Sequence, residues 1–119
     1  MGKQNVQTVK VANFDIPLAD GWYAETQGTV ASVFKNPKYE GAQITMSAFS
    51  GVSASDLAAQ SGQIAGTNAQ VQTFDIKGKT YYGFETQNGF VLCIDGEDGL
   101  TLRIFGQGIT LDQATPLAP

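Results

Sequence analysis

Residues 90–94, FVLCI, are apolar at every position. Successive side chains of a β-strand point to opposite faces, so a strand of this composition presents apolar groups on both sides at once. A sheet with one face in water alternates apolar with polar, so this strand needs both faces of its sheet at least partly covered. The rest of the chain has to supply that cover.

Residues 71–106 read as four consecutive strands, at 71–76, 80–87, 90–94 and 100–105. Asn88-Gly89 is the strongest hairpin signal among them, because a type I′ turn needs φ > 0 at both central residues and these two tolerate it best. A two-residue turn there sets Thr86 opposite Val91, Glu85 opposite Leu92 and Phe84 opposite Cys93, and paired residues share a face. One face then carries Tyr82, Phe84, Val91 and Cys93, the other Phe90, Leu92 and Ile94.

Upstream, residues 6–18 hold a short alternating strand followed by Phe14, Ile16 and Leu18 at period two, with Pro17 marking an edge or a strand end. Ala19-Asp20-Gly21 turns the chain into a strand at 22–26, and TVASVFK at 29–35 is another. Residues 42–49 alternate cleanly, which predicts a half-exposed strand near an edge, open to pairing with another chain. From Ser53 the period changes. Ser53 stands three residues before Asp56 as a reduced capping box, Leu57, Ala58, Ile64 and Ala65 follow at helical spacing, and Gly66 or Asn68 can end the helix. Its thin stripe of small residues suits close packing on the sheet face bearing Phe84, Val91 and Cys93. Near the C-terminus Thr110 or Asp112 can cap a short helix over Leu111, Ala114 and Leu117.

At 119 residues the chain is one domain with one core. Charged residues make up only 15%, against a usual quarter or so. With 7 basic and 11 acidic residues the chain lacks the electrostatic footprint of a nucleic-acid binder. No stretch approaches the roughly 18 apolar residues of a membrane-spanning helix, so direct membrane insertion is not expected. A low-charge, polar-uncharged domain fits the cell-envelope or extracellular part of an exported or lipid-anchored bacterial protein with its leader removed; a cytoplasmic protein starting at Met1 is the alternative.

Histidine is absent, which removes the commonest general base, the Ser-His-Asp and Cys-His arrangements and most zinc sites. No cofactor motif is present, and Cys93 reads as a small buried hydrophobe. Three candidate sites are left. Glu85 and Arg103 would flank Leu92 if the next hairpin turned at Glu97-Asp98, giving either a structural ion pair or a carboxylate/arginine pocket of a small enzyme. The turn Asp95-Gly96-Glu97-Asp98-Gly99 offers oxygens for calcium without EF-hand spacing. Tyr39, in a polar turn between Lys38 and Glu40, reads as exposed, and with Tyr81 it forms a candidate patch for a protein partner.

The opening FDIPLADGWYAE at 14–25, the helix start from Ser53 to Asp56 and IKGKTYYGFE at 76–85 resemble the PsbP-like family, which includes the extrinsic oxygen-evolving subunit of photosystem II and Ran-binding relatives. The resemblance covers essentially the whole chain. It departs from the family where the C-terminal helix is cut short and in the lack of histidine, which puts an imidazole metal site out of reach. It implies an α+β fold: an antiparallel sheet of about six to eight short strands, covered on both faces by a central helix and by the N- and C-terminal segments, an α/β/α sandwich. It also implies a mostly non-catalytic, partner-binding role. The expectation is therefore an interaction or assembly module.

Overall fold

The first two alternating runs pair with each other, β1 (Gln7–Val11) with β2 (Phe14–Leu18), as a two-stranded ribbon. Ala12, at φ 55°, makes the tight turn. Thr8 stands opposite Pro17, and the missing proline N–H confines this strand to an edge, which a ribbon of two provides. The ribbon's inner side is Val9, Val11, Phe14 and Ile16, all buried. The computed structural model describes residues 7–18, 21–64 and 70–119.

The other strands are β3 (Tyr23–Gln27), β4 (Ala31–Lys35), β5 (Gln43–Ser50), β6 (Gln72–Ile76), β7 (Lys79–Glu85), β8 (Gly89–Asp95) and β9 (Leu100–Gln107). They form one antiparallel sheet in the order β3-β4-β5-β9-β8-β7-β6. β5 and β6 follow each other along the chain yet have β9, β8 and β7 between them, so their connection must cross a sheet face. It crosses as α1 (Ala54–Ile64), packed on β7, β8 and β9. Ala54, Leu57 and Ala58 meet Phe84, Val91 and Cys93 there. The opposite face carries Phe90, Leu92 and Ile94 into a larger core with the ribbon and with the C-terminal segment. That segment is α2 (Leu111–Ala114), capped by a reciprocal Thr110–Gln113 box, and a 3-10 turn at Thr115–Leu117. Leu117 is fully buried. Both faces of the FVLCI strand are thus covered, as its composition demands.

The α/β/α sandwich is overturned. The structure is mostly β, with 52% of residues in strands and 16% in helices. Among the described residues, one face carries the 11-residue α1. The other is covered by a β-ribbon and one turn of α2, because residues 7–18 pair with themselves as strands and Pro116 stops the last helix after a single turn. The strand at 42–49 is no edge either: β5 lies between β4 and β9, and β3 and β6 are the edges. The predicted helix ends at Gly66 or Asn68, like the turn at Ala19-Asp20, lie outside the described residues.

The hairpin at Asn88-Gly89 also differs. Thr86 N–H donates to the Gly89 carbonyl at 2.8 Å, so Gln87 and Asn88 are the central residues and Phe84 stands opposite Val91. Gly89 is used for close approach: a Cβ on it would lie 1.8 Å from the Gly106 carbonyl oxygen. Among the described residues two turns have φ > 0 at both central positions, Lys77-Gly78 at 54° and 79° and Asp98-Gly99 at 60° and 73°. The register moves by two residues, an even number, so every side chain keeps its predicted face.

Candidate functional site

Pairing between β7 and β8 runs from Glu85–Phe90 to Tyr82–Cys93 and stops. Beyond that point β7 still pairs with β6 as far as Lys79–Ile76, and β8 still pairs with β9 as far as Asp95–Thr101. The sheet therefore forks into two ribbons at this end. The tip of the β1–β2 ribbon packs at the fork. Its Phe14 ring lies against Gly96, where a Cβ would come within 2.3 Å of the ring, and Asn13 Nδ2 donates to the Glu97 carbonyl at 3.4 Å.

The fork holds an open groove of about 740 Å³, within the size range of small-ligand sites. Lys79, Thr80 and Tyr82 of β7 line one side, and Ile94 to Glu97 line the other. Asn13, Phe14, Asp15 and Pro119 complete the lining. Phe14, Tyr82 and Ile94 supply apolar surface. The charged groups are three carboxylates, Asp15, Asp95 and Glu97, against one ammonium, Lys79. Two of these carboxylates have partners. Asp15 accepts from Lys10 Nζ at 2.7 Å, and Asp95 accepts from the Ala54 N–H at 2.9 Å and from Thr101 Oγ1 at 3.3 Å. Beside the groove, burial and then the neighbouring Lys79 charge lower the pKa of Lys77 from its ordinary value, and its Nζ donates to the carbonyls of Pro116 and Ala118.

No family model, curated protein or solved structure matches the chain.

Of the residues singled out from the sequence, Asp95 and Glu97 line the groove. Glu85 and Arg103 are not brought together. Glu85 stands opposite Phe90 and Arg103 opposite Cys93, and those two lie in cores on opposite faces of the sheet. The expected meeting over Leu92 fails because Leu92 pairs with Gly83 and Ile104. Arg103 instead stacks on the Phe49 ring, 4.8 Å from its centroid, and donates to Ser61 Oγ at 3.4 Å. Among the described residues no three His, Cys, Asp or Glu side chains converge as a metal site would require. Asp95 is turned toward α1, and Asp98 sits in the tight turn at φ 60°.

The tyrosine patch is not assembled on the surface. Tyr81 is fully buried, its hydroxyl donates to the Pro119 carbonyl at 3.1 Å, and burial pushes its pKa up to about 12. Tyr39 is half-buried with its ring 5.8 Å from that of Trp22, because the turn folds it back on the core, and Lys38 lies over its ring. Phe14, Asp15, Lys79, Thr80 and Tyr82 were missed as site residues. Alternation offers no signal for Thr80 and Tyr82, which read as ordinary positions of the strand at 80–87.

Proposed function

We propose that this domain is a non-enzymatic binding module that docks a partner protein in the groove between β7 and β8. The observation that carries the reading is the fork: an open groove whose walls combine apolar side chains, one-sided charge and an unpaired stretch of strand. General acid–base catalysis asks for titratable groups converging on one reacting atom. Here Asp95 is held by the helix terminus and Asp15 by Lys10. The likeness of 14–25 and 76–85 to the PsbP-like family points to the same class of role.

Capture of a partner from an extract of the source cells tests it, with the wild-type chain, a Lys79→Glu/Glu97→Lys double variant, and Glu40→Lys as an exposed control. A partner held by wild type and by the control and lost by the double variant supports the reading. Equal retention by all three places binding elsewhere and overturns it.

A further inference from the structure

We infer that the groove receives an extended peptide carrying a basic side chain, which adds as a strand alongside β7 with Thr80 as its pairing residue. The inference rests on the binding-module reading and names the chemistry of what binds.

In an antiparallel ladder the backbone groups of successive residues point alternately to the two sides of the strand. The Thr86 N–H donates toward β8, to Gly89. Stepping back by two, Phe84, Tyr82 and Thr80 face that same side, and Tyr81 and Lys79 face β6. Phe84 and Tyr82 meet Val91 and Cys93. Thr80 comes next, and no strand among those described pairs with it on that side. Its N–H and C=O therefore stand at an exposed strand edge inside a groove. The run Lys79–Tyr81, paired with β6 on one side and without a strand on the other, is about 10 Å long at 3.4 Å per residue, enough for a three-residue strand. Strand addition draws its affinity from main-chain hydrogen bonds and its selectivity from what the alternate side chains meet.

Charge selects the occupant. Asp15 is paired with Lys10 and Asp95 is turned toward α1, so the carboxylate left for an added strand is Glu97, with Lys79 the cation of the lining, on a chain of net charge −4. The aliphatic stem of a Lys or Arg can lie on Phe14 or Tyr82 while its cation reaches the Glu97 side of the groove. An acidic strand or a phosphate would meet Glu97 unfavourably.

Fluorescence anisotropy with three labelled five-residue peptides tests the inference: alternating Lys-Val, the same peptide N-methylated at its central residue, and alternating Glu-Val. The Lys-Val peptide should bind saturably, and the other two about tenfold or more weakly, that is by about 1.4 kcal/mol. Amide exchange at Thr80 should slow on binding. Glu97→Lys, an exposed change that leaves every backbone bond in place, should weaken Lys-Val and favour Glu-Val. Thr80→Pro removes the groove-facing donor, together with the exposed Thr80 Oγ1–Asp75 bond at 3.4 Å, and should abolish binding in a chain whose thermal transition is retained. Equal binding of the N-methylated peptide, or unchanged exchange at Thr80, overturns strand addition. Absence of Lys-Val binding overturns it too. If partner capture still depends on Lys79 and Glu97 in that case, docking in the groove survives and only its mode is wrong; if capture also fails, both readings fall.

Discussion

The Asp95 carboxylate, at the end of β8, accepts the Ala54 N–H at 2.9 Å and so caps the first turn of α1 from 41 residues away. The first N–H groups of a helix have no intrahelical partner. Ser53 serves locally, its hydroxyl accepting from the Asp56 N–H at 3.3 Å, and Asp95 takes the Ala54 donor. The bond also ties the helix layer to the sheet where the β7–β8 ladder ends. Asp95→Ala, which removes the carboxylate, should cost about 1 kcal/mol, the usual scale of a lost cap. Asp95→Asn, which keeps an acceptor, should cost less. The urea midpoints of the two variants check this, and an unchanged midpoint for Asp95→Ala would show the bond to be idle.

Phe90 and Gly106 stand opposite each other on β8 and β9, and a Cβ on Gly106 would reach within 2.3 Å of the Phe90 ring. Gly106 is there to make room. Gly106→Ala should destabilise by about 1–3 kcal/mol, the range for overpacking a tight core. Combined with Phe90→Leu, the two costs should fall short of additivity, because the smaller side chain relieves the clash. Denaturant unfolding of the four chains of the cycle decides it; strict additivity would mean the ring is not what Gly106 accommodates.

Cys93 is fully buried, and burial pushes its thiol from 9.0 up to about 12, with the Arg103 charge partly opposing. Tyr81 is raised from 10.0 to about 12 by burial alone. Both shifts have the same sign for stability. Below the unfolded-state values both groups are protonated folded or unfolded, and the contribution is whole. As pH rises from about 9 toward 12 the unfolded chain releases protons that the folded chain keeps, so stability falls. Cys93→Ala should flatten the earlier part of that decline and Tyr81→Phe the later part. At pH 8 a thiol reagent should modify Cys93 only on unfolding; rapid labelling of the native chain would contradict the burial.

Lys77 joins the β6–β7 turn to the C-terminal segment, its Nζ donating to Pro116 O at 3.0 Å and to Ala118 O at 2.8 Å. Lys77→Met keeps the aliphatic stem and removes both bonds. The expected cost is about 1 kcal/mol, since hydrogen bonds from a solvent-exposed cation are worth less than buried ones. The amide of Ala118, bonded to the Thr115 carbonyl at 3.0 Å, should exchange faster. Unaltered exchange there would show that Leu117 burial alone holds the segment.

Much of the fold was legible because strand alternation and helix capping are local. Phe84, Val91 and Cys93 share a face in the structure as they do in the alternation, and α1 starts at Ala54 just after Ser53. The groove was barely legible. Asp95 and Glu97 stood out as polar turn residues, but Thr80 and Tyr82 look like any others in a strand, and Glu85 and Arg103 were paired by registers two residues off at β7–β8 and one residue off at β8–β9, the odd slip putting them on opposite faces.

The sequence by itself determined which side chains of one strand share a face, because a period of two is a property of consecutive residues. It also determined that the FVLCI strand must be covered on both sides. Only the tertiary structure decided that a β-ribbon supplies half of that cover, that β5 is central, and that the β7–β8 ladder ends at Tyr82–Cys93. Those outcomes depend on contacts between residues far apart in the chain, Phe14 against Gly96 and Asp95 on Ala54, and no local pattern encodes where such partners meet.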